Sequence, residues 1–328
     1  MVKVSLWSFI RLRSLKISEL AALIVAYKRS SNLKLIIQEC LSSKINKIYI
    51  AIDGPADQAS SENIADCISI AHEFQKLHPN RIFTKFSEVN LGAAVSILSG
   101  CSWIFSREDF AVIIEDDCLP TKDFFKWVRQ SEKMLFKDPR VFIISGNQFA
   151  PVNLTGNAPS LSKYPLTWGW ATSKYKWNIM ASYIVANKVK KRSLGMSYSE
   201  FCFWSSGSRR AMEGYIDAWD IPLAFILRQI GGNSLLPATN LVKNIGGDAH
   251  ATHTLDFSEW LNFPTKAFYQ YDGEPEENPE LDAWYRRVFF NIRFKHIFST
   301  KISWLLDSLG IRKKLRSHLL MRLNLKID

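Results

Sequence analysis

Between residues 20 and 150, short apolar runs alternate with segments whose apolar positions recur every three to four residues. Continuous apolar runs of this length are typical of buried strands, and the recurring spacing is typical of amphipathic helices. Strands that are apolar on both faces and alternate with helices predict an α/β fold with a mainly parallel sheet covered by helices. The pattern predicts strands at 20–27, 47–53, 81–86, 110–114 and 141–145, with helices at 31–41, 62–77, 91–105 and 121–135.

The alternation stops near residue 151. An Asn- and Ser-rich stretch, an aromatic cluster and one helical pattern around 208–230 follow, so we expect this half to contact a ligand rather than extend the sheet. An acidic, Pro-containing run at 271–282 indicates a linker. The predicted organisation is a basic N-terminal segment, two halves of one domain, an acidic linker and a basic amphipathic helical tail, with boundaries at 1–19, 20–150, 151–270, 271–285 and 286–328.

The net charge of +11 is concentrated at the two ends of the chain. Residues 1–29 carry a local charge of +5 and residues 286–328 a local charge of +9, which leaves the middle at −3. A nucleic-acid partner is not expected, since no binding motif accompanies this charge. The amphipathic tail suits an anionic membrane surface, although a terminal helix packed on the domain would explain it too.

Cysteine usage and the apolar pattern indicate the compartment. The five cysteines form no CxxC pair, which favours reduced, buried thiols. No window of eighteen apolar residues appears, and Arg11 and Arg13 interrupt any secretory signal. We therefore expect a cytoplasmic protein, peripheral on the inner face of the plasma membrane if the tail binds lipid.

The stretch AVIIEDDCLP at 111–120 carries the clearest chemical signal, because a predicted strand runs directly into Glu115, Asp116 and Asp117. Three adjacent carboxylates repel one another, and a divalent cation would offset this repulsion. Such a cation completes its coordination with water and substrate phosphate, which points to a nucleotide-diphosphate substrate. An exposed acidic turn is the alternative. Polar residues also follow other predicted strands, and the carboxyl ends of parallel strands meet in one crevice: Lys28, Arg29, Asp53, Gly54 and Asn90.

The motif VIIEDDCLPTKDFFKW, with NLGAAVSI before it and WGWATSKYKW, AWDIPLAF and NLVKNIGGDAHATHT after it, resembles the GT-A fold nucleotide-sugar glycosyltransferases. The resemblance covers roughly residues 20–257 and is greatest to bacterial family 2-like enzymes of surface polysaccharide synthesis, which share the acidic motif with N-acetylglucosaminyltransferase I. It implies a GT-A, Rossmann-like fold, a Mn²⁺ or Mg²⁺ cofactor, a donor-binding half at 20–150 and an acceptor-binding, catalytic half at 151–270.

The same resemblance implies roles for individual residues. Asp117 would ligate the metal, with Asp116 as a possible second ligand and His253, or less favourably His250, as a late histidine ligand. Glu115 and Asp116 would face the ribose and the waters of the metal. The remaining donor-site positions contact the nucleotide or line its site: Arg29, Asp53, Asn90 and Gly92.

Catalysis by inversion needs a carboxylate that takes the proton of the acceptor hydroxyl. The motif DAWDIP offers two candidates, and the resemblance, in which the base follows an aromatic residue in a W-D context, implies Asp220, with Asp217 as a reserve. A helix-capping role before Pro222 is the alternative for Asp220. Trp168 and Trp170 could stack on sugar faces, or could simply pack in the core, and the same choice applies to Trp177.

These patterns together predict a metal-dependent inverting glycosyltransferase. It would transfer a sugar from a nucleotide-diphosphate donor, most simply a UDP-sugar, to an oligosaccharide or lipid-linked glycan in lipopolysaccharide, O-antigen or capsule synthesis. Sugar-1-phosphate nucleotidyl transfer is one alternative, which the glycine-poor segment AYKRSSN after the first strand disfavours. A non-catalytic glycan- or membrane-binding protein on the same scaffold is the other.

Overall fold

A computed structural model describes residues 19–185, 195–247, 260, 263–268 and 270–308 of the 328-residue chain. The predicted alternation of strands and helices up to residue 150 is confirmed. A further short strand follows the acidic motif. The elements of this half are β1 (Ala21–Ala26), α1 (Ser30–Ser42), β2 (Lys47–Ile52), α2 (Gln58–Leu77), β3 (Ile82–Phe86), α3 (Gly92–Phe105), β4 (Phe110–Glu115), β5 (Cys118–Pro120), α4 (Lys122–Lys137) and β6 (Val141–Ser145).

The second half contains shorter strands and several helices. These elements are α5 (Val152–Thr155), β7 (Ser160–Ser162), β8 (Trp170–Ser173), α6 (Lys174–Val185), α7 (Tyr198–Met212), α8 (Asp220–Ile230), β9 (Asn233–Leu236), β10 (Val242–Asn244), β11 (Glu276–Glu277), α9 (Pro279–Trp284), a π-helical turn (Tyr285–Phe289) and α10 (Lys295–Ser308).

Nine strands form the central sheet in the order β11-β7-β9-β6-β8-β4-β1-β2-β3. Strands β1 to β4, β6 and β9 run in one direction, and β8 lies antiparallel between β4 and β6. The predicted α/β class, with a mainly parallel sheet flanked by helices, is thus confirmed. A separate two-stranded ribbon pairs β5 with β10.

The expectation that residues after 151 would not extend the sheet is wrong. Strands β7, β8 and β9 all come from this half, and β8 separates β4 from β6. These strands have three or four residues each and are buried on both faces, so they show no readable period. The segment 271–285, interpreted from sequence as a linker, contributes β11 to the sheet edge and buries Leu281 and Tyr285 in a core cluster.

The two faces of the sheet support two cores. Along β1 the side chains alternate between them, with Ala22 and Ile24 in one cluster and Leu23 and Val25 in the other. Helices begin where side chains accept from free amides: Asp57 and Ser60 form a capping box at α2, and Thr121 caps α4. All five cysteines are buried and free, as predicted.

The last described helix, α10, packs against α7. The His296 ring contacts Phe203 edge to face, and the Thr300 hydroxyl donates to the Cys202 carbonyl over 3.1 Å. Across the described ranges no helix is both long and apolar enough to cross a membrane. The basic segment up to residue 18 and the predicted tail beyond residue 308 lie outside the described residues.

Candidate functional site

The parallel pairing of β1 with β4 places two charged segments at one edge of the sheet. Val25 pairs with Glu115, so the residues just beyond each strand meet. The Asp116 carboxylate accepts from Arg29 Nη1 and from the backbone amide of Tyr27, both at 2.9 Å. Burial raises the pKa of Asp116, while the neighbouring Arg29 guanidinium opposes that rise. These two bonds attach Asp116, the middle residue of the acidic motif, to the segment that follows β1.

The ion pair involves two residues that the sequence analysis assigned to ligand binding, Asp116 and Arg29. Asp116 is only 6% exposed, and each of its oxygens accepts one hydrogen bond. Contact of Arg29 with the nucleotide stays a prediction, and in this structure its Nη1 pairs with Asp116. The assignment of Asp116 as a second metal ligand stays a prediction, and in this structure its charge is paired with Arg29.

Asp117 lies under a loop that follows β10. Its carbonyl accepts from the Ile245 amide at 2.6 Å, and its carboxylate accepts from the Cys118 thiol at 3.0 Å. A Cβ at Gly246 would lie 2.6 Å from the Asp117 Cβ, so only glycine allows this approach. The loop therefore holds the Asp117 side chain in place. The proposed histidine ligands His253 and His250 lie outside the described residues.

Glu115 connects the acidic motif to the start of α8. Trp219 Nε1 donates to Glu115 Oε2 at 3.3 Å, and the next residue, Asp220, begins the helix. Burial holds the pKa of Glu115 well above its ordinary range, and the negative charges of Asp117 and Asp220 raise it further. The carboxylates of Glu115, Asp117 and Asp220 are therefore close enough to interact electrostatically.

Asp220 is the first residue of α8, and the helix cap is Trp219, which makes no side-chain capping bond. The structure therefore places Asp220 inside the first turn of α8 and not at the helix cap. An exposed aspartate in the first turn is favoured by the helix dipole. The Asp220 side chain is exposed, and its negative charge acts on Glu115 of the acidic motif.

Asp53 organises a loop instead of presenting its carboxylate. It is 4% exposed and accepts from the backbone amides of Gly54, Leu91 and Gly92 at 2.8, 2.9 and 3.1 Å. The Asn90 side chain adds a fourth bond at 3.3 Å. Direct contact of the Asp53 side chain with a nucleotide stays a prediction, and in this structure its oxygens hold the loop that contains Asn90 and Gly92.

Asp217 caps the helix that follows this loop. Its two carboxylate oxygens accept from the Ala93 and Ala94 amides of α3 at 2.8 and 3.1 Å. Gly92 has φ +77°, and a Cβ there would lie 3.3 Å from the same carboxylate. Both oxygens join the loop before α8 to α3, and the reserve assignment of Asp217 as catalytic base stays a prediction.

The tryptophans divide between core and surface. Trp170 is fully buried between Trp177 and Trp219, and its ring stacks on Trp219 with centroids 5.7 Å apart. It has no face to offer a sugar, so the prediction of sugar stacking by Trp170 is wrong, and Trp177 is buried in the same way. Trp168 is half-buried and packs edge to face on Phe149, so its role as a sugar platform stays a prediction.

Sequence reasoning missed two positions that shape the site. Trp219 precedes the predicted base, but its hydrogen bond to Glu115 joins residues 104 positions apart, which the sequence alone does not predict. The contact of Gly246 with Asp117 depends on the β5–β10 pairing, which three-residue strands do not reveal. Both act by fixing carboxylates of the acidic motif.

The donor set is compatible with a divalent metal, although the structure contains none. Within the described ranges no group of three or more His, Cys, Asp or Glu side chains is arranged to hold a metal ion. Mn²⁺ or Mg²⁺ bound beside a substrate diphosphate needs only one or two carboxylates, since water and phosphate complete the coordination. Asp117 and Glu115 offer such oxygen donors, and burial together with the charges of Asp117 and Asp220 raises the pKa of Glu115.

No protein-family profile and no curated protein matches the sequence. Solved structures match at low similarity. TarS residues 1–349 from S. aureus share 8% identity over 69% of this chain and 59% of that chain, with a TM-score of 0.37. Glucosyl-3-phosphoglycerate synthase from Mycobacterium tuberculosis, in complex with Mn²⁺, uridine diphosphate and glucosyl-3-phosphoglycerate, shares 13% identity over 48% of this chain and 57% of that chain, at TM-score 0.31.

A putative glucose-1-phosphate thymidylyltransferase from Bacillus anthracis shares 12% identity over 75% of this chain and 97% of that chain, with a TM-score of 0.39. The first two matches span less than two thirds of those chains. Similarity this low carries no argument about activity, so the function has to be inferred from the site itself.

Proposed function

We propose that this protein is a metal-dependent inverting glycosyltransferase that uses a nucleotide-diphosphate sugar, most simply a UDP-sugar. One observation carries the proposal. The Arg29–Asp116 ion pair fixes the acidic end of β4, which leaves Asp117 and Glu115 beside Asp220 at the carboxyl edge of the parallel strands. This edge is where sheets of this type bind ligands. The sequence resemblance to GT-A enzymes supports the same assignment.

The residues of the chain have separate tasks in this proposal. Asp117 and Glu115 would supply carboxylate oxygens to Mn²⁺ or Mg²⁺, and a bound ion would neutralise charge on the donor diphosphate. Asp53 shapes the loop of Asn90 and Gly92 into one wall of the donor site. Trp219 restrains Glu115 through its N–H bond. Trp168 is the aromatic side chain that remains partly open to a sugar.

Asp220 acts as the general base. Its carboxylate accepts the proton of the acceptor hydroxyl as the acceptor oxygen forms a bond to the anomeric carbon. The bond between that carbon and the diphosphate oxygen breaks, and the leaving nucleoside diphosphate keeps the electron pair. Attack on the face opposite the leaving group inverts the anomeric configuration. An oligosaccharide or lipid-linked acceptor in surface polysaccharide synthesis is the acceptor class that the resemblance favours.

The test is a screen of UDP-, GDP-, TDP- and CMP-sugars for hydrolysis and thermal stabilisation with and without Mn²⁺. We expect one nucleotide class to stabilise the protein with Mn²⁺, and Asp117→Ala to lose this stabilisation. Asp220→Asn should keep the stabilisation and lose turnover. Asp272→Asn, at an exposed position outside the site, is the matched control and should keep both.

Two results would overturn the proposal. Turnover of sugar-1-phosphate with a nucleoside triphosphate, without transfer from any nucleotide sugar, would assign nucleotidyl transfer instead. Stabilisation by none of the nucleotide sugars in the presence of Mn²⁺ would favour a binding protein without catalysis.

A further inference from the structure

The outer face of α10 presents aromatic side chains to solvent. Phe294, in the turn directly before the first helical residue, is 79% exposed, and Phe298, one turn later, is 65% exposed. On a helix, positions four apart lie on the same face. Exposed phenylalanines on one face are unusual on a protein surface, and clusters of them mark interaction sites.

The inner face of the same helix is already occupied. His296 contacts Phe203, and Thr300 is buried with its hydroxyl bonded to Cys202. At 100° per residue, Phe294 and Phe298 lie about 200° from His296, on the side opposite the docked face. The exposed rings therefore lie on the face of α10 that does not pack against α7.

Positive charge surrounds these rings. No Asp or Glu occurs between Ala283 and Leu306, whereas five Lys or Arg residues do. Among the described residues no carboxylate forms an ion pair with any of the five. Arg287, Arg293, Lys295 and Lys301 are exposed. The surface thus combines phenylalanine rings with unneutralised cations, which is the combination that anionic lipid headgroups and acyl chains bind.

We propose that the surface formed by Phe294, Phe298, Arg293, Lys295 and Lys301 binds an anionic lipid bilayer in its interfacial region. The rings insert at the boundary between headgroups and acyl chains, and the cations contact lipid phosphates. Phenylalanine supplies apolar side chains for insertion between lipids, which favours a bilayer over a nucleic acid. The inference stands apart from the proposed catalytic activity, since no residue of the acidic motif takes part.

Vesicle sedimentation of the full-length protein tests this surface. With vesicles of equal parts phosphatidylglycerol and phosphatidylcholine, we expect binding that weakens with added salt, and little binding to phosphatidylcholine alone. Phe294→Ser/Phe298→Ser should lower the partition coefficient at least about tenfold. Arg293→Glu/Lys295→Glu should lower it to a similar extent, about tenfold. All of these side chains are exposed, so circular dichroism and the Tm should stay unchanged.

The matched controls are Tyr175→Ser, an aromatic that is 70% exposed on α6, and Lys122→Glu/Lys133→Glu on α4. Both should bind vesicles like the parent protein. Equal loss in the controls and the α10 variants would overturn the proposal, because the effect would then reflect net charge and surface apolarity alone. Binding to RNA but not to vesicles would overturn it as well. So would a dimer that dissociates on Phe294→Ser/Phe298→Ser without any vesicle binding.

Discussion

The indole N–H of Trp219 donates a hydrogen bond to the Glu115 carboxylate across 3.3 Å and 104 positions of sequence. The bond ties the acidic end of β4 to the residue before Asp220, so the proposed metal ligands and the proposed base share one restraint. The Trp219 ring also stacks on the fully buried Trp170, which limits its movement.

Trp219→Phe should keep the ring stacking and remove only the hydrogen bond. We expect kcat to fall about tenfold, the equivalent of one hydrogen bond of roughly 1.4 kcal/mol, with the Tm little changed. Steady-state kinetics with the donor identified by the nucleotide-sugar screen measure this. Trp103→Phe, at a half-buried position that contacts Tyr49, is the control and should keep its activity. An unchanged kcat in Trp219→Phe would show that the bond does not restrain Glu115 during catalysis.

The Arg29–Asp116 pair leads to a prediction about stability. Arg29→Met leaves the Asp116 carboxylate buried beside Asp117 without its cation, and loss of one partner of a buried pair costs about 3–5 kcal/mol. Urea denaturation should show a loss of this order. Arg29→Met/Asp116→Asn should recover part of it, because the uncompensated charge is gone. A double variant no more stable than Arg29→Met would contradict the assignment of the loss to the buried charge.

The proximity of Arg29 and the acidic motif was predictable, because parallel strands with long apolar runs must place their carboxyl ends at one edge. Which groups the carboxylates of Asp53 and Asp116 bond to was not predictable. Asp53 and Asp116 look like ligands in the sequence, and only the packed loops show that backbone amides and Arg29 already use their oxygens. Strand β8 escaped prediction because four buried residues carry no period, although it brings Trp170 under Trp219.

Gly246 should control the position of Asp117. In Gly246→Ala the new methyl carbon would lie 2.6 Å from the Asp117 Cβ, so the loop or the aspartate must move. We expect Mn²⁺ affinity to fall about 10- to 100-fold, the range seen when groups supporting a ligand are changed. Titration of Mn²⁺ in the presence of the nucleoside diphosphate measures this affinity.

The control for Gly246→Ala is Gly231→Ala. Gly231 follows α8 with φ +70°, and a Cβ added there would have no other atom within 4 Å. Its substitution therefore strains the backbone without touching Asp117. It should lower stability by about 1 kcal/mol and leave Mn²⁺ affinity intact. Equal metal affinities in the two variants would refute the role of Gly246.

Asp217 and Asp220 should separate in their kinetics. Asp217→Asn retains one acceptor oxygen for the α3 amides, so we expect a stability loss of about 1 kcal/mol and a raised donor KM with nearly normal kcat. Asp220→Asn should instead lower kcat by at least about a hundredfold with little change in donor KM. If Asp217→Asn lowers kcat and leaves donor KM unchanged, Asp217 is a catalytic residue rather than a positioning one.

Lys176 provides a pH-dependent test of the packing behind the site. Its ammonium donates to the carbonyls of Leu135 at 2.7 Å, Asp138 at 2.9 Å and Val141, which joins α6 to the end of α4 and the start of β6. Lys176→Met removes these bonds and leaves buried carbonyls without this donor, so the free energy of unfolding should fall by about 1–3 kcal/mol.

Burial lowers the pKa of Lys176 from its ordinary 10.5 to about 8, and the nearby Asp138 only partly opposes this effect. Between these two pH values the unfolded chain holds a proton that the native state has released, so raising the pH favours the native state. The stability difference between the parent protein and Lys176→Met should therefore widen from pH 8 toward 10.5. Urea denaturation of both proteins across this range measures it. A difference that stays constant would mean that the three carbonyls keep Lys176 charged and that its pKa is not lowered.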